Sequence, residues 1–205
     1  MSAKLHLPLI RVIVALFLAY GGVLALHLHA LHEVSVSAAA LCLLAGALYT
    51  HFFEYLYHVV AMHHVFRFGT RRYYDKRHLR HHQIFGGENF RTHNPAHLDD
   101  VAAHWYTLPT LFFPHYLVFL TLFPARFAPW FFLGVTLQSL AYEVTHWFTH
   151  VHDNAFDRLI ARLPLLSQLR AAQVRHHWQH HAVPAVNFNF TPPYLGDRCG
   201  RTFSK

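Results

Sequence analysis

Long apolar runs decide what environment this chain can fold in. LPLIRVIVALFLAYGGVLAL, roughly Leu7 to Leu26, is interrupted only by Arg11. VSVSAAALCLLAGALYTHFFEYLYHVVAM, Val34 to Met62, turns polar only in its last two turns. Two further runs cover Tyr106 to Phe123, broken by Pro109 and Pro114, and Phe127 to Val144. Crossing a bilayer core of about 30 Å takes about 20 apolar residues as a helix. Composition agrees: hydrophobic residues make up 54% and charged residues 13%, against roughly 25% charged in soluble domains. The sequence therefore predicts an all-α membrane protein, a single domain over residues 1–205 with four transmembrane helices at about 7–26, 34–62, 106–123 and 127–144. Lys4 and Arg11 give the first run the look of a signal peptide. No small-residue cleavage site follows, so it is read as a retained helix.

The basic residues orient these spans. Seven lie between the second and third runs, from Arg67 to Arg91, and seven more follow the fourth, from Arg158 to Lys205. With Lys4 and Arg11, these fall on one side of a four-span topology, leaving Arg126 alone on the other. The positive-inside bias makes the basic side cytoplasmic, with both termini there, in a bacterial inner membrane or the endoplasmic reticulum. A formal charge of +7 suits nucleic acid or anionic lipid; its placement favours the membrane, and no nucleic-acid partner is expected. Cys42 and Cys199 imply neither a disulfide framework nor a thiolate metal site.

Histidine is the third signal, at 22 residues, more than the 17 of lysine and arginine together. Ten fall into four groups at or beyond the cytoplasmic ends of the spans: His58 and His63; His78, His81 and His82; His146 and His150; His177, His180 and His181. Residues three or four apart share a helix face, so His78 can align with His82 and His146 with His150. In H-x-x-H-H the last two histidines point about 100° apart and can address two neighbouring ions. One such match arises by chance in roughly a quarter of chains this rich in histidine; two on the same side with two further pairs are much rarer. Ten imidazoles suit a dinuclear centre of Fe, Zn or Cu and argue against Mg or Ca. His58 and His63, five apart, align poorly on an ideal helix and fit better if the helix ends there. The other histidines are read as interfacial, hydrogen-bonded or supporting residues, with His64 and His176 the most ambiguous. Glu54, Asp75 and Glu143 are candidates for orienting ligand imidazoles. Trp105, Tyr106, Trp147 and Trp178 are candidates for an interfacial belt. Ala155 to Val174 reads as a helix on the membrane surface, broken or kinked at Pro164.

The order H-x4-H, H-x2-H-H, H-x3-H, H-x2-H-H resembles the membrane-bound fatty acid hydroxylase and sterol desaturase superfamily. Within it the chain looks most like fatty acid 2-hydroxylases. Glu54 and Tyr55 precede the first motif as in that group, YEVTHW resembles its third, and NFNFTPPYLGDRCGRTF resembles its ending. The resemblance covers about Thr50 to Phe203. Glu143 stands where Asp is usual and Trp147 where Tyr is usual, Gly-Arg-Thr replaces a Gly-Thr, and Gly86 to Asp100 matches no segment of the pattern. The resemblance implies a cytoplasmic histidine-rich cap binding two Fe ions, which can be replaced by Zn on purification. It further implies hydroxylation of a membrane lipid acyl chain at C2 with O2 and two electrons. The expected electron source is a separate cytochrome-b-type or ferredoxin-like protein. A carotenoid or sterol hydroxylase or desaturase would share the same ligands. A transporter would place ligands near the bilayer midplane; a non-catalytic metal-binding membrane protein is the remaining alternative.

Overall fold

Long apolar runs satisfy their own backbone polar groups most simply by coiling, and the protein is almost wholly helical. The structure, a computed structural model, describes residues 6–63, 66–68, 71–73 and 76–204; Lys4, His64, Asp75 and Lys205 lie outside them. In chain order the helices are α1 (Leu7–His27), α2 (Val36–Tyr57), α3 (Lys76–Ile84), α4 (Pro95–Leu98) and α5 (Thr107–Leu122). They continue with α6 (Ala128–His150), α7 (Ala155–Ile160), α8 (Pro164–Ala182) and α9 (Leu195–Gly200). Among the described residues the only strands are β1 (Phe66–Phe68) and β2 (Arg71–Tyr73), an antiparallel pair. The chain forms two compact units: Met1–Thr50 with Ala102–Glu143, and His51–Val101 with Val144–Lys205.

In the first unit, α1 and α2 are joined by a 3-10 turn, Leu28–Glu33. Ser35 then caps α2, its hydroxyl accepting the Ala38 amide at 3.3 Å, which satisfies one otherwise orphaned donor. A short 3-10 turn, Ala125–Phe127, joins α5 to α6. Val23, Phe112, Tyr116, Phe119, Ala128 and Phe132 form the core. His27 lies beside it, its Nε2 2.7 Å from the Tyr116 hydroxyl. Where α2 meets α6 the backbones touch: a Cβ on Gly46 would collide with the Phe131 carbonyl, and one on Gly134 with the Leu43 carbonyl. Small residues at such a crossing let helices associate by close packing, a common device of membrane helices.

Two helical stretches, Leu7–Glu33 and Val36–Met62, are long and apolar enough to cross a membrane. Many of their large side chains face outward, with Val36 88% and Leu18 72% exposed; in water such surface would be costly. The third and fourth runs are helical as well. α5 is apolar but has 16 residues, roughly 24 Å of helix. α6 has 23 residues but mixes Gln138, Glu143, His146 and His150 into its sequence. Length and composition thus mark two of the four expected runs as candidate spans.

The second unit turns one expected pattern inside out. The surface helix read over Ala155 to Val174 is two helices: α7 ends at Ile160, and Pro164 opens α8 within its first turn, where a missing N–H costs nothing. The buried residues of α8 are Arg170, Gln173, His176, His177, His180 and His181, while Leu165, Leu166 and Leu169 are exposed. Arg170 is therefore not a surface arginine. Its Nε donates to Asp157 Oδ1 at 2.9 Å, and its Nη1 to Thr149 Oγ1 and Gln173 Oε1, each at 2.8 Å. Trp147 has no exposed surface and belongs to the core, not to an interfacial belt.

Candidate metal centre

The first two histidines owe their alignment to a change of helix type. After Tyr57 the helix continues as a π-turn, His58–Met62. The His63 amide bonds the His58 carbonyl at 3.2 Å. An i to i+5 bond repeats after about five residues rather than four, so side chains five apart come to one face. The two ring centroids lie 5.0 Å apart. The helix does end here, but it widens before it ends.

On α3 the imidazoles of His78 and His82 lie one turn apart with Nε2 atoms 3.1 Å from each other, while His81 is turned about 100° away from its neighbour. On α8 the same geometry recurs with the roles exchanged: His177 and His181 pair at 3.1 Å and His180 turns away. Two groups result. His58, His63, His78, His82 and His180 form one, and His81, His150, His177 and His181 the other; within each, the ligand atoms lie within 4.8 Å of one another. Each of α3 and α8 serves both groups. His146 falls in neither, but its Nε2 lies 3.1 Å from that of His177. All ten sequence-derived candidates thus lie in the second unit.

Backbone carbonyls aim the rings. His58 Nδ1 donates to Phe188 O, His81 Nδ1 to Asp100 O (3.1 Å), His150 Nδ1 to Phe90 O (2.8 Å) and His180 Nδ1 to Val186 O (2.7 Å). A carbonyl only accepts, so in these neutral rings the proton sits on Nδ1 and Nε2 presents a lone pair. Those Nε2 atoms face other Nε2 atoms: His58 to His78 at 3.0 Å, His63 to His180 at 3.1 Å, His81 to His181 at 3.1 Å and His150 to His177 at 3.0 Å. The Nε2 of His78 meets those of His58, His63 and His82, and the Nε2 of His177 meets those of His146, His150 and His181, so one proton at most serves three contacts at each.

Added protons are opposed by the surroundings. Burial, followed by repulsion between neighbouring imidazoles, holds the pKa of His78, His81, His177 and His181 well below the usual histidine range. His150 and His180 are likewise depressed by burial first. His82 is pushed down to about 4 and His146 to about 3. Neutral imidazoles with inward lone pairs are what a transition-metal cation needs as ligands. These buried clusters could hold a metal ion.

The C-terminal tail supplies the carbonyls of Val186 and Phe188, and residues distant in sequence pin it. Asp197, fully buried, accepts the amides of Phe188 (2.7 Å) and Asn189 (2.8 Å) and the Thr202 hydroxyl (2.7 Å). Glu54 accepts the Phe190 amide and, at 3.1 Å, the Thr191 hydroxyl. Tyr55 fills a notch that side chains at Gly196 and Gly200 would close. Glu54 therefore orients no imidazole directly; it holds the extended tail segment whose Phe188 carbonyl orients His58. Glu143 is buried and accepts the Ala103 amide at 3.3 Å. The unmatched segment Gly86 to Asp100 has a similar scaffolding part, since Phe90 and Asp100 carry two orienting carbonyls. His176 stacks on Tyr194 with centroids 3.9 Å apart and lies 3.3 Å from Asp197, a supporting position. His51 is held by Thr191 and Leu195.

Sequence reasoning sought carboxylates as orienting groups and so missed the carbonyls, which every residue carries and no motif marks. The spacing of five between His58 and His63 was the one available sign of the π-turn. Comparisons with protein-family models, with curated proteins and with solved structures find no match for this chain.

Proposed function

We propose that this chain is a multi-pass membrane oxygenase that binds two Fe ions and hydroxylates a lipid acyl chain, at C2. The observation that carries this reading is the double histidine cluster, in which α3 and α8 each divide their H-x-x-H-H ligands between two adjacent groups. A structural site needs four ligands, whereas nine or ten imidazoles in two touching groups suit a dinuclear centre. Iron is preferred to zinc because oxidation of a C–H bond requires a redox-active metal. When bound, the metal pair supplies O2 activation: one oxygen atom enters the C–H bond and the other leaves as water, with two electrons and two protons consumed. The electrons come from a separate cytochrome-b-type or ferredoxin-like protein.

The chain's own groups supply positioning. The carbonyls of Phe90, Asp100, Val186 and Phe188 fix tautomer and ring plane, so that lone pairs are presented before metal arrives. Phe85, Phe90, Phe188 and Phe190 pack around the imidazoles and exclude water from them, which protects an oxidising centre from side reactions. In the proposed topology all four apolar runs cross the bilayer, and the centre lies on the cytoplasmic side, near the headgroups, where a lipid can enter laterally. The exposed apolar surfaces of α1 and α2 support membrane insertion.

The test is a comparison of total lipids, by mass spectrometry, from cells with and without the gene. Acyl chains carrying one added oxygen at C2 are expected only with the intact gene and are lost in His81→Ala. A shifted carotenoid or sterol in their place would reassign the substrate.

A further inference from the structure

A second feature of the same compact unit is a cleft of about 400 Å³ beside α7 and α8, lined by Arg91, Asp157, Ser167, Arg170 and Arg175 among others. Three guanidinium groups face one carboxylate. Asp157 is already engaged, by Arg170 at 2.9 Å and by Arg91 at 3.3 Å, so it cannot neutralise Arg175. Arg175 is exposed and has no carboxylate partner among the described residues. Arg170 is buried, and its Nη2 has no acceptor among the described residues. The cleft has the size of a small-ligand site and a surplus of the residue best suited to phosphate oxygens.

Exposed leucines lie in the same stretch of chain. Leu159 is 59% exposed and Leu165 69%, with Leu163, Leu166 and Leu169 also open; Leu166 precedes Arg170 by one helical turn. Leu165, Leu166 and Leu169 occupy the N-terminal turns of α8, ahead of the buried run that starts at Arg170. So many open leucines in one short stretch of chain mark an interaction surface. Cationic groups next to a strip of leucines match the two layers of a membrane interface, headgroup and upper acyl chain.

We propose that this cleft binds the phosphate of an anionic phospholipid headgroup, with the exposed leucines seated in the adjoining acyl layer. The proposal rests on the membrane reading above, but not on the reaction. A free anion would leave the leucines uncovered, and an acidic protein would have to cover them with apolar surface of its own.

The experiment uses the metal-loaded protein in a neutral detergent, titrated with dioctanoyl phosphatidylglycerol and followed by native mass spectrometry. Dioctanoyl phosphatidylcholine and inorganic phosphate serve as separate probes. One phosphatidylglycerol per chain should be retained about tenfold more tightly than phosphatidylcholine and should resist displacement by phosphate. Arg175→Glu should weaken it by about tenfold, each basic group near a membrane surface being worth several-fold. Ser167→Asp, which places a negative charge in the cleft without removing an arginine, should do the same. Metal content should be unchanged in both variants. Equal retention of the two lipids, or variants that bind like the parent, would overturn the proposal. Displacement by phosphate alone would assign the cleft to free anions instead. Loss of metal from the parent with lipid binding intact would count against the oxygenase reading and leave this one standing.

Discussion

The His63 amide closes on the His58 carbonyl across a five-residue interval, and that single π-type bond puts two imidazoles of the first cluster on one face. Lengthening the interval should therefore undo the cluster. One alanine inserted between Val59 and Val60 would turn His63 about 100° further around the helix. The expected result is the loss of about one metal ion per chain by elemental analysis, with the second cluster still filled. Unchanged metal content would mean that His63 is not a ligand.

The tail latch makes a separate demand. Replacing Asp197 by Ala would strand the buried amides of Phe188 and Asn189, at a cost of at least about 2 kcal/mol. Denaturant unfolding of the metal-free protein should read that loss. Because Phe188 O orients His58, metal uptake by the first cluster should also slow. A variant as stable as the parent would show that the tail is held by other contacts.

The α2–α6 crossing leaves no room for side chains. Gly46→Ala would force a methyl group against the Phe131 carbonyl, backbone that cannot swing aside as a side chain can. Overpacking of this kind costs about 1–3 kcal/mol or more. The thermal midpoint should fall accordingly, whereas Gly21→Ala, where a Cβ meets nothing within 4 Å, should leave it in place.

Much of this arrangement was legible in the sequence, and the remainder was hidden for physical reasons. Apolar runs announced the long helices α1, α2, α5 and α6. The histidine spacing placed His78 with His82 and sent adjacent ligands to different groups, because helical periodicity alone decides that. It could not reveal that α8 buries Arg170, since an arginine between leucines reads as a polar stripe on an exposed helix. Nor could it reveal the carbonyls of Phe90, Asp100, Val186 and Phe188, whose value lies in backbone course. Trp147 was placed at an interface by residue type, yet the unit closes over it completely.

Acid should unfold the metal-free protein. In the fold His82 titrates near 4 and His146 near 3, and the other depressed imidazoles also stay neutral near pH 7; in the unfolded chain each takes up a proton near pH 6.5. Below about pH 6.5 the unfolded state binds more protons, so stability present above that pH is lost as it falls toward about 4. The thermal midpoint should be level from about pH 7 to 8 and drop steeply below about 6.5. Bound metal should be released over the same range, since a protonated imidazole has no lone pair to give. A midpoint that rises on acidification from pH 7 to 5 would contradict the buried neutral cluster.

The most direct measurement is the metal stoichiometry of the purified protein and two single variants, by elemental analysis with iron supplied during expression. The account predicts about two ions per chain in the parent, and about one each in His63→Ala and His150→Ala, which remove a ligand from different clusters. A parent holding no transition metal, or variants holding as much as the parent, would contradict it.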